Sequence, residues 1–456
     1  MSIVKALFDK SVCNASEVFG VTDKTTQAMQ DAIKDWFDLY YDREVTKDED
    51  PCQRIPYTIV RKLTKTVFSE YTASSEDAFV QDVLASLNER RKPAVELAMI
   101  GGSMLLKPVA GEEWRWTLIR RTNVLVFGRD ADGKLTDIGT AERTQEGLSY
   151  YTLYERRTVD ANGFLTIKYK LFRSPDKERI GTRVPLATLD KYAELPDEYT
   201  YTVPFGLGVV EVKIPIANCV DDSEDGVSVY AAAAGLIHNI NTNEAQLSAE
   251  FRNGRSRIIA SSDMLTKDDT GHKAIKDDLF TAVDDDPDIV GITIFSPALR
   301  EESFIARKES YLRSCESMIG LKRGLLSEVE AQERTAKEIT SSEGDYNLTI
   351  TDLQDMWEGA VKDAVKLCGT LGKLYRVSGA HEVDEDDIGI DWGNGILYDE
   401  DKTWADYKDL VARGLLRPEF ALGWRFSMPT DTPEEREAIR QKYMPELKQL
   451  TGEGEE

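Results

Sequence analysis

The sequence predicts an α+β fold, and three observations predict it. Apolar residues recur at helical spacing as far as Met99. They alternate with a period of two from Met104 to about residue 217, and return to helical spacing from residue 221. The first switch falls at Gly101-Gly102 and the second at Asp221-Asp-Ser-Glu-Asp-Gly226. A chain of 456 residues is long enough for two to four domains with cores, and 41% hydrophobic residues is far too much for disorder.

Residues 1 to about 22 read as poorly structured. Asp23 to Tyr41 predicts a helix capped by Thr22 or Asp23 and ending in Trp36, Phe37, Tyr40 and Tyr41. The charged stretch Asp42 to Asp50 is a loop. Pro56 to Tyr71 is amphipathic, with Ile59, Leu63, Val67 and Tyr71 in step. Glu76 to Met99 is helical but interrupted by Pro93. Strands follow at Met104–Lys107, Trp114–Ile119 and Val124–Phe127. Tyr150–Thr158 and Phe164–Phe172 form a hairpin about Asp160-Ala-Asn-Gly163. The acids at 221–226 suit the start of a helix reaching Asn253, roughly 40 Å long at 1.5 Å per residue. Arg255–Ala260 and Ile289–Phe295 read as short strands around a helix near Lys273–Phe280 and the acidic loop 284–288.

From Ser303 to Leu374 two helices flank a loop. Phe304, Tyr311, Leu312, Cys315, Met318 and Ile319 line one stripe of the first, with the cations Arg307, Lys308 and Arg313 between them. Gly320 and Gly324 break the helix. The second helix starts near Thr335 and contains Gly344, which reads as a bend. The loop holds Lys322, Arg323 and Arg334 against Glu328, Glu330 and Glu333. Six charges cannot be buried without a heavy desolvation cost, so the loop is expected to face water. Asp387–Trp392 reads as a strand, and Lys402–Arg413 as a helix ended by Gly414. Thr432-Pro-Glu-Glu435 opens a last helix with a cap and a capping-box glutamate. The tail from Gly452 is expected to be disordered.

Most classes of chemistry find no support. The five scattered cysteines, Cys13, Cys52, Cys219, Cys315 and Cys368, fit reduced thiols. The three histidines lie far apart, so no zinc site is expected. The loop after Asp130 fails the calcium pattern, because Leu135 and Ala141 stand where glycine and glutamate belong. Gly369-Thr-Leu-Gly-Lys-Leu374 is no P-loop, and no nucleophile elbow is present. No apolar run is long enough for a membrane helix, and the first residues do not form a signal peptide. Asp384-Glu-Asp-Asp387 with Asp391 could hold a metal in a carboxylate-dependent nuclease, or could be a solvated acidic loop. The net charge of −25 repels nucleic acid unless the cations are segregated.

The order of these elements, with several local stretches, resembles the portal proteins of tailed bacteriophages. The stretches are Arg54-Ile-Pro-Tyr-Thr-Ile-Val-Arg-Lys-Leu63, Ala98-Met-Ile-Gly-Gly-Ser-Met-Leu-Leu-Lys107 and Glu224-Asp-Gly-Val-Ser228 with Asn239-Ile-Asn-Thr-Asn243. They continue with Gly320-Leu-Lys-Arg-Gly324 before Thr335-Ala-Lys-Glu-Ile339, and with Ile390-Asp-Trp-Gly-Asn-Gly-Ile-Leu-Tyr-Asp-Glu-Asp401. The charged loop after Gly324 departs from the Ser/Gly-rich stretch of that family. The resemblance implies a wing over 1–222, stem helices over 223–253 and 302–320, and a clip over 254–301. It also implies a tunnel loop over 321–335, a kinked helix over 336–374, a wing strand region over 375–400 and a helical crown over 401–456. It implies a ring of about twelve copies through which double-stranded DNA is packaged, retained and ejected, with no enzyme activity and no cofactor. Implied partners are the terminase large subunit, head-completion or adaptor proteins, and the major capsid and scaffolding proteins. The place implied is the capsid vertex of a virion assembled in bacterial cytoplasm. Arg307, Lys308, Arg313, Lys322 and Arg323 would then meet DNA phosphates or pair with a neighbouring subunit's carboxylates. Leu325 and Leu326 would brace the loop against that neighbour. The rivals are the packaging nuclease and a head or tail ring that carries no DNA.

Overall fold

The computed structural model describes residues 10–42, 52–109, 111, 113–177, 179–254, 257–260, 265–267, 273–275, 292–295, 298–328, 336–393, 400–426, 428–430 and 432–444. It is an α+β chain of two units. One is residues 1–67 with 73–389, the other 68–72 with 390–456.

The first unit opens with α1 (Lys10–Phe19), where the sequence predicted no structure. Ala15 packs with Leu125, Phe127 and Tyr154, and Val18 and Phe19 flank them, so the helix is held by tertiary burial rather than by its own ten residues. α2 (Gln27–Tyr41) is capped by Thr26, whose hydroxyl accepts from Met29 N. The expected cap Asp23 instead accepts from Thr25 N and Val126 N, tying the chain to the sheet. α3 (Ile55–Val67) follows, then β1 (Thr72–Ser74) and α4 (Ala78–Gly101). Contrary to expectation, Pro93 does not interrupt α4. A proline costs a helix interior about 3 kcal/mol. Each buried Val, Leu or Ile returns about 1.5–3 kcal/mol, and Val83, Leu84 and Leu87 on one side of it and Val95, Leu97 and Ile100 on the other hold both halves in one core.

Gly102 makes the switch from helix to strand. Its φ is 80°, and a Cβ there would lie 2.1 Å from the Gly226 carbonyl oxygen, so only glycine fits. β2 (Ser103–Val109) pairs antiparallel with β3 (Arg115–Arg120). β4 (Val124–Arg129), β5 (Leu135–Glu146), β6 (Ser149–Val159), β7 (Leu165–Ser174) and β8 (Thr182–Val184) form an antiparallel sheet in that order. β9 (Glu198–Thr200) also pairs with β7. β10 (Val210–Lys213) completes the β2–β3 sheet on its other edge. Leu105, Val124, Ile138, Leu165, Ile167 and Leu207 form one core cluster across the two sheets.

A buried ion group lies between β2 and β6. The Glu155 carboxylate is 2.7 Å from Lys107 Nζ and also meets Arg157 Nε, while Arg157 Nη1 donates to Leu207 O at 2.7 Å. Burial pushes the Glu155 carboxyl upward, but the charges of Arg157 and Lys107 together outweigh it and hold the group at about 2.

Residues 221–230 are not the predicted helix start. The acids bond side chains rather than a helix end. Asp221 accepts from Thr26 and from Asn218 Nδ2, and buried Asp225 lies 3.2 Å from Arg121 and 2.7 Å from Arg129. The helix α5 begins at Ala234 and runs to Asn253, about 30 Å at 1.5 Å per residue. β11 (Arg257–Ala260) pairs with β14 (Ile292–Phe295), and β12 (Leu265–Lys267) with β13 (Lys273–Ile275). The expected helix at 273–280 is therefore a strand at 273–275, because Leu265↔Ile275 through Lys267↔Lys273 satisfy each other's backbones. Residues 276–280 and the acidic loop 284–288 lie outside the described residues. α6 (Glu301–Ile319) and α7 (Ala336–Tyr375) follow, then β15 (Gly389–Asp391). α7 is helical through Gly344, where a Cβ would meet open space.

The second unit is helical: α8 (Glu400–Ala412), α9 (Pro418–Arg425) and α10 (Pro433–Tyr443). Tyr407 meets Trp424 edge-on with centroids 5.1 Å apart, and Phe426 stacks on Tyr443 at 4.3 Å. Thr432 and Glu435 form the predicted capping box.

Candidate functional site

Antiparallel packing of α5 against α6 positions the site. Asn243 Nδ2 donates to Phe304 O at 3.0 Å. Arg300 grips Glu250 through Nε at 3.1 Å and Nη2 at 2.6 Å, and Lys308 Nζ lies 2.8 Å from Glu244. Both members of the Arg300–Glu250 pair are shifted by their hydrogen bonds, the guanidinium upward and the carboxyl downward. Each of these contacts involves a charged or amide side chain, so polar contacts help fix the register of the pair.

α6 ends at Gly320, where the sequence predicted a break, and its φ of 74° makes it a left-handed cap. The chain then folds back over the helix end rather than hanging free. Glu316, only 1% exposed, organises it. Its Oε1 accepts from Gly324 N at 3.1 Å, Leu326 N at 2.6 Å and Ser327 N at 2.9 Å, and its Oε2 from Ser327 Oγ at 2.8 Å. Converging backbone N–H groups on one carboxylate oxygen form an anion nest filled by the protein's own side chain. Its main-chain oxygen also accepts from Leu321 N at 2.8 Å. Lys62 on α3 donates to Leu325 O, and Glu309 Oε2 accepts from Glu328 N at 3.0 Å. Burial first, and then the Glu316 charge, push the neighbouring Cys315 thiol up to about 11, so it stays protonated near neutrality.

Sequence reasoning missed Glu316 and Lys62. Glu316 sits beside Cys315 within the apolar stripe and looks like a solvated interruption of it. Its signal is the loop that follows, where glycines let consecutive N–H groups turn toward one point.

The residues singled out from the sequence do not form one cluster. Arg323 Nη1 donates to Arg313 O at 2.9 Å and lies 3.9 Å from Glu316 Oε2, so these three meet. Lys322 is exposed beside them and Glu328 is exposed at the loop's far end. Arg307 donates to Tyr311 Oη at 2.9 Å with its guanidinium 5.3 Å from that ring's centroid. Lys308 pairs with Glu244 of its own chain and donates to Gln53 Oε1 at 3.2 Å. Leu325 and Leu326 are half-buried against their own chain, and Leu321 is buried. Glu330, Glu333 and Arg334 lie outside the described residues.

The acids weighed for a metal have structural duties. Asp384 and Asp387 close a capping box, Glu385 pairs with Lys366, and Asp391 accepts from Gly393 N at 2.9 Å. Among the described residues no three His, Cys, Asp or Glu side chains are grouped to hold a metal ion, and no helix is long and apolar enough to cross a membrane.

The described chain is thus a mixed helical and sheet body with two paired helices ending in an ordered loop. The family model described as phage portal protein, SPP1 Gp6-like, matches residues 134–442, and the chain belongs to that family. Its role is therefore that of a portal or connector, a virion component of a structural family. Among solved structures the chain is similar to one titled "Neck of native GTA particle computed with C12 symmetry". The identity is 13% and the TM-score 0.41, over 86% of this chain and 91% of that one. No curated protein matches.

Proposed function

We propose that about twelve copies of this chain form a ring around a channel for double-stranded DNA at one capsid vertex. Terminase drives the genome in through this channel, and the ring then retains and later releases it. The observation that carries the reading is the family match, which spans α5, α6, the loop after Gly320 and α7. In this reading residues 1–222 and 375–400 form the wing, 223–253 and 302–320 the stem, and 254–301 the clip that docks terminase and later the adaptors. The loop 321–335 lines the channel, 336–374 bridges to the wing, and 401–456 forms the crown. Two further features support it. Phe251, Leu299, Ile305 and Met318 are each more than 40% exposed on or beside the α5–α6 pair, apolar surface that ring neighbours would cover. A channel built from a chain of net charge −25 grips DNA only weakly, so the duplex can pass through it.

Native mass spectrometry and electron microscopy of the purified chain test this together. The expected result is a closed ring of about twelve copies, with a wide top and a narrow stem. Monomer alone across the micromolar range overturns it.

A further inference from the structure

One helix beside the loop has an outer face that carries cations and no acid. Residues 51–69 contain no Asp or Glu, in a chain with 82 of them, yet carry Arg54, Arg61, Lys62 and Lys65. The run folds as α3, whose Ile55, Ile59, Val60, Leu63 and Val67 turn into the core. Helical spacing then gathers Tyr57, Arg61 and Lys65 on the opposite side, and all three are exposed. No acid stands three or four positions from Arg61 or Lys65, so neither charge is neutralised along its own helix. The Arg61 guanidinium lies 5.9 Å from the Tyr57 ring centroid, an aromatic rest that limits its freedom without removing its donors. Lys62, one residue on, donates to Leu325 O in the loop, so α3 is tied to the loop.

In a self-repelling acidic chain, a helix face that carries cations and no acid is a place where a polyanion can approach without repulsion from neighbours on that helix. Arg61 and Lys65 are separated along the helix by about 6 Å, four residues at 1.5 Å each. That is close to two steps of the roughly 3.4 Å charge spacing along one DNA strand. We infer that the outer face of α3, through Arg61 and Lys65, is a second contact surface for the DNA backbone, joined to the loop by Lys62. The inference rests on the DNA-channel reading. The contacts are to phosphates, hence indifferent to sequence and weakened by salt, as suits DNA that must slide.

The test uses assembled rings of the full chain and a short blunt-ended DNA duplex, with the apparent affinity followed over a salt series. Arg61→Gln with Lys65→Gln is expected to leave ring assembly intact. The slope of log affinity against log salt becomes shallower by about 1.8, or ~0.9 for each single substitution. Arg61→Lys with Lys65→Arg restores the parent slope. An unchanged slope in the Gln variants overturns the inference. So does a folded Gln variant that no longer forms rings, because the face then belongs to a second copy of the chain. If Lys322→Ala with Arg323→Ala weakens duplex binding and the α3 variants do not, the α3 surface alone is overturned. If parent rings form but bind no duplex even at low salt, this inference falls while the channel reading stands; if no ring forms, the channel reading itself has fallen.

Discussion

At the scale of single residues, two buried carboxylates define how this chain spends its acidity. Glu316 is surrounded by N–H and O–H donors and holds residues 321–327 against the end of α6. Replacing it with Ala leaves those donors buried without partners, at a cost of about 1–3 kcal/mol for each unmade bond. Glu316→Ala is therefore expected to speed amide exchange at Gly324, Leu326 and Ser327 while the sheet strands keep their protection. Hydrogen-exchange mass spectrometry reads this directly, and unchanged exchange at those amides contradicts the nest. Glu155 behaves differently, because its partners are cations. Its folded-state value of about 2 lies below the ordinary carboxylate value. Its contribution is thus complete above the unfolded value of about 4.3 and disappears as pH falls toward 2. Glu155→Gln should flatten the acid limb of the stability curve relative to the parent, measured by denaturant midpoint at successive pH values.

At the scale of elements, the sequence was most legible where local chemistry had no competitor. The capping box at Thr432, the helix end at Gly320, the Asp160–Gly163 turn and the β6–β7 hairpin are as the residues predict. Thr432→Ala should lower the stability of the α8–α10 unit by about 1 kcal/mol, the usual worth of such a cap, measured by chemical denaturation. It was misread where a distant partner decided the outcome. The acids at 221–226 look like a helix start until Arg121, Arg129 and Thr26 claim them from other parts of the chain. Pro93 looks like a break until burial on both sides holds α4 together. α1 and α9 are too short for their periodicity to stand out. The candidate site divides the same way. Gly320, Gly324 and the basic residues are visible as types and spacings, whereas the nest on Glu316 exists only after the chain has turned back on itself.

At the scale of the whole molecule, charge and assembly oppose each other. Copies of net charge −25 repel, and the repulsion rises steeply as a ring closes. Raising salt from about 0.05 to 0.5 M shortens the screening length severalfold. The ring population at fixed protein concentration is therefore expected to grow over that range, as followed by analytical ultracentrifugation. Loss of rings with added salt would mean that intersubunit ion pairs dominate instead. The seat of α1 also sets an order of events during synthesis. Its apolar side rests on Leu125, Phe127 and Tyr154, and Ala15 leaves the ribosome far ahead of them. At about 5–20 residues per second, that interval lasts roughly 5–30 s. α1 must therefore wait, its apolar side uncovered, for the strands that will receive it, and a chaperone that holds emerging chains has that interval in which to act.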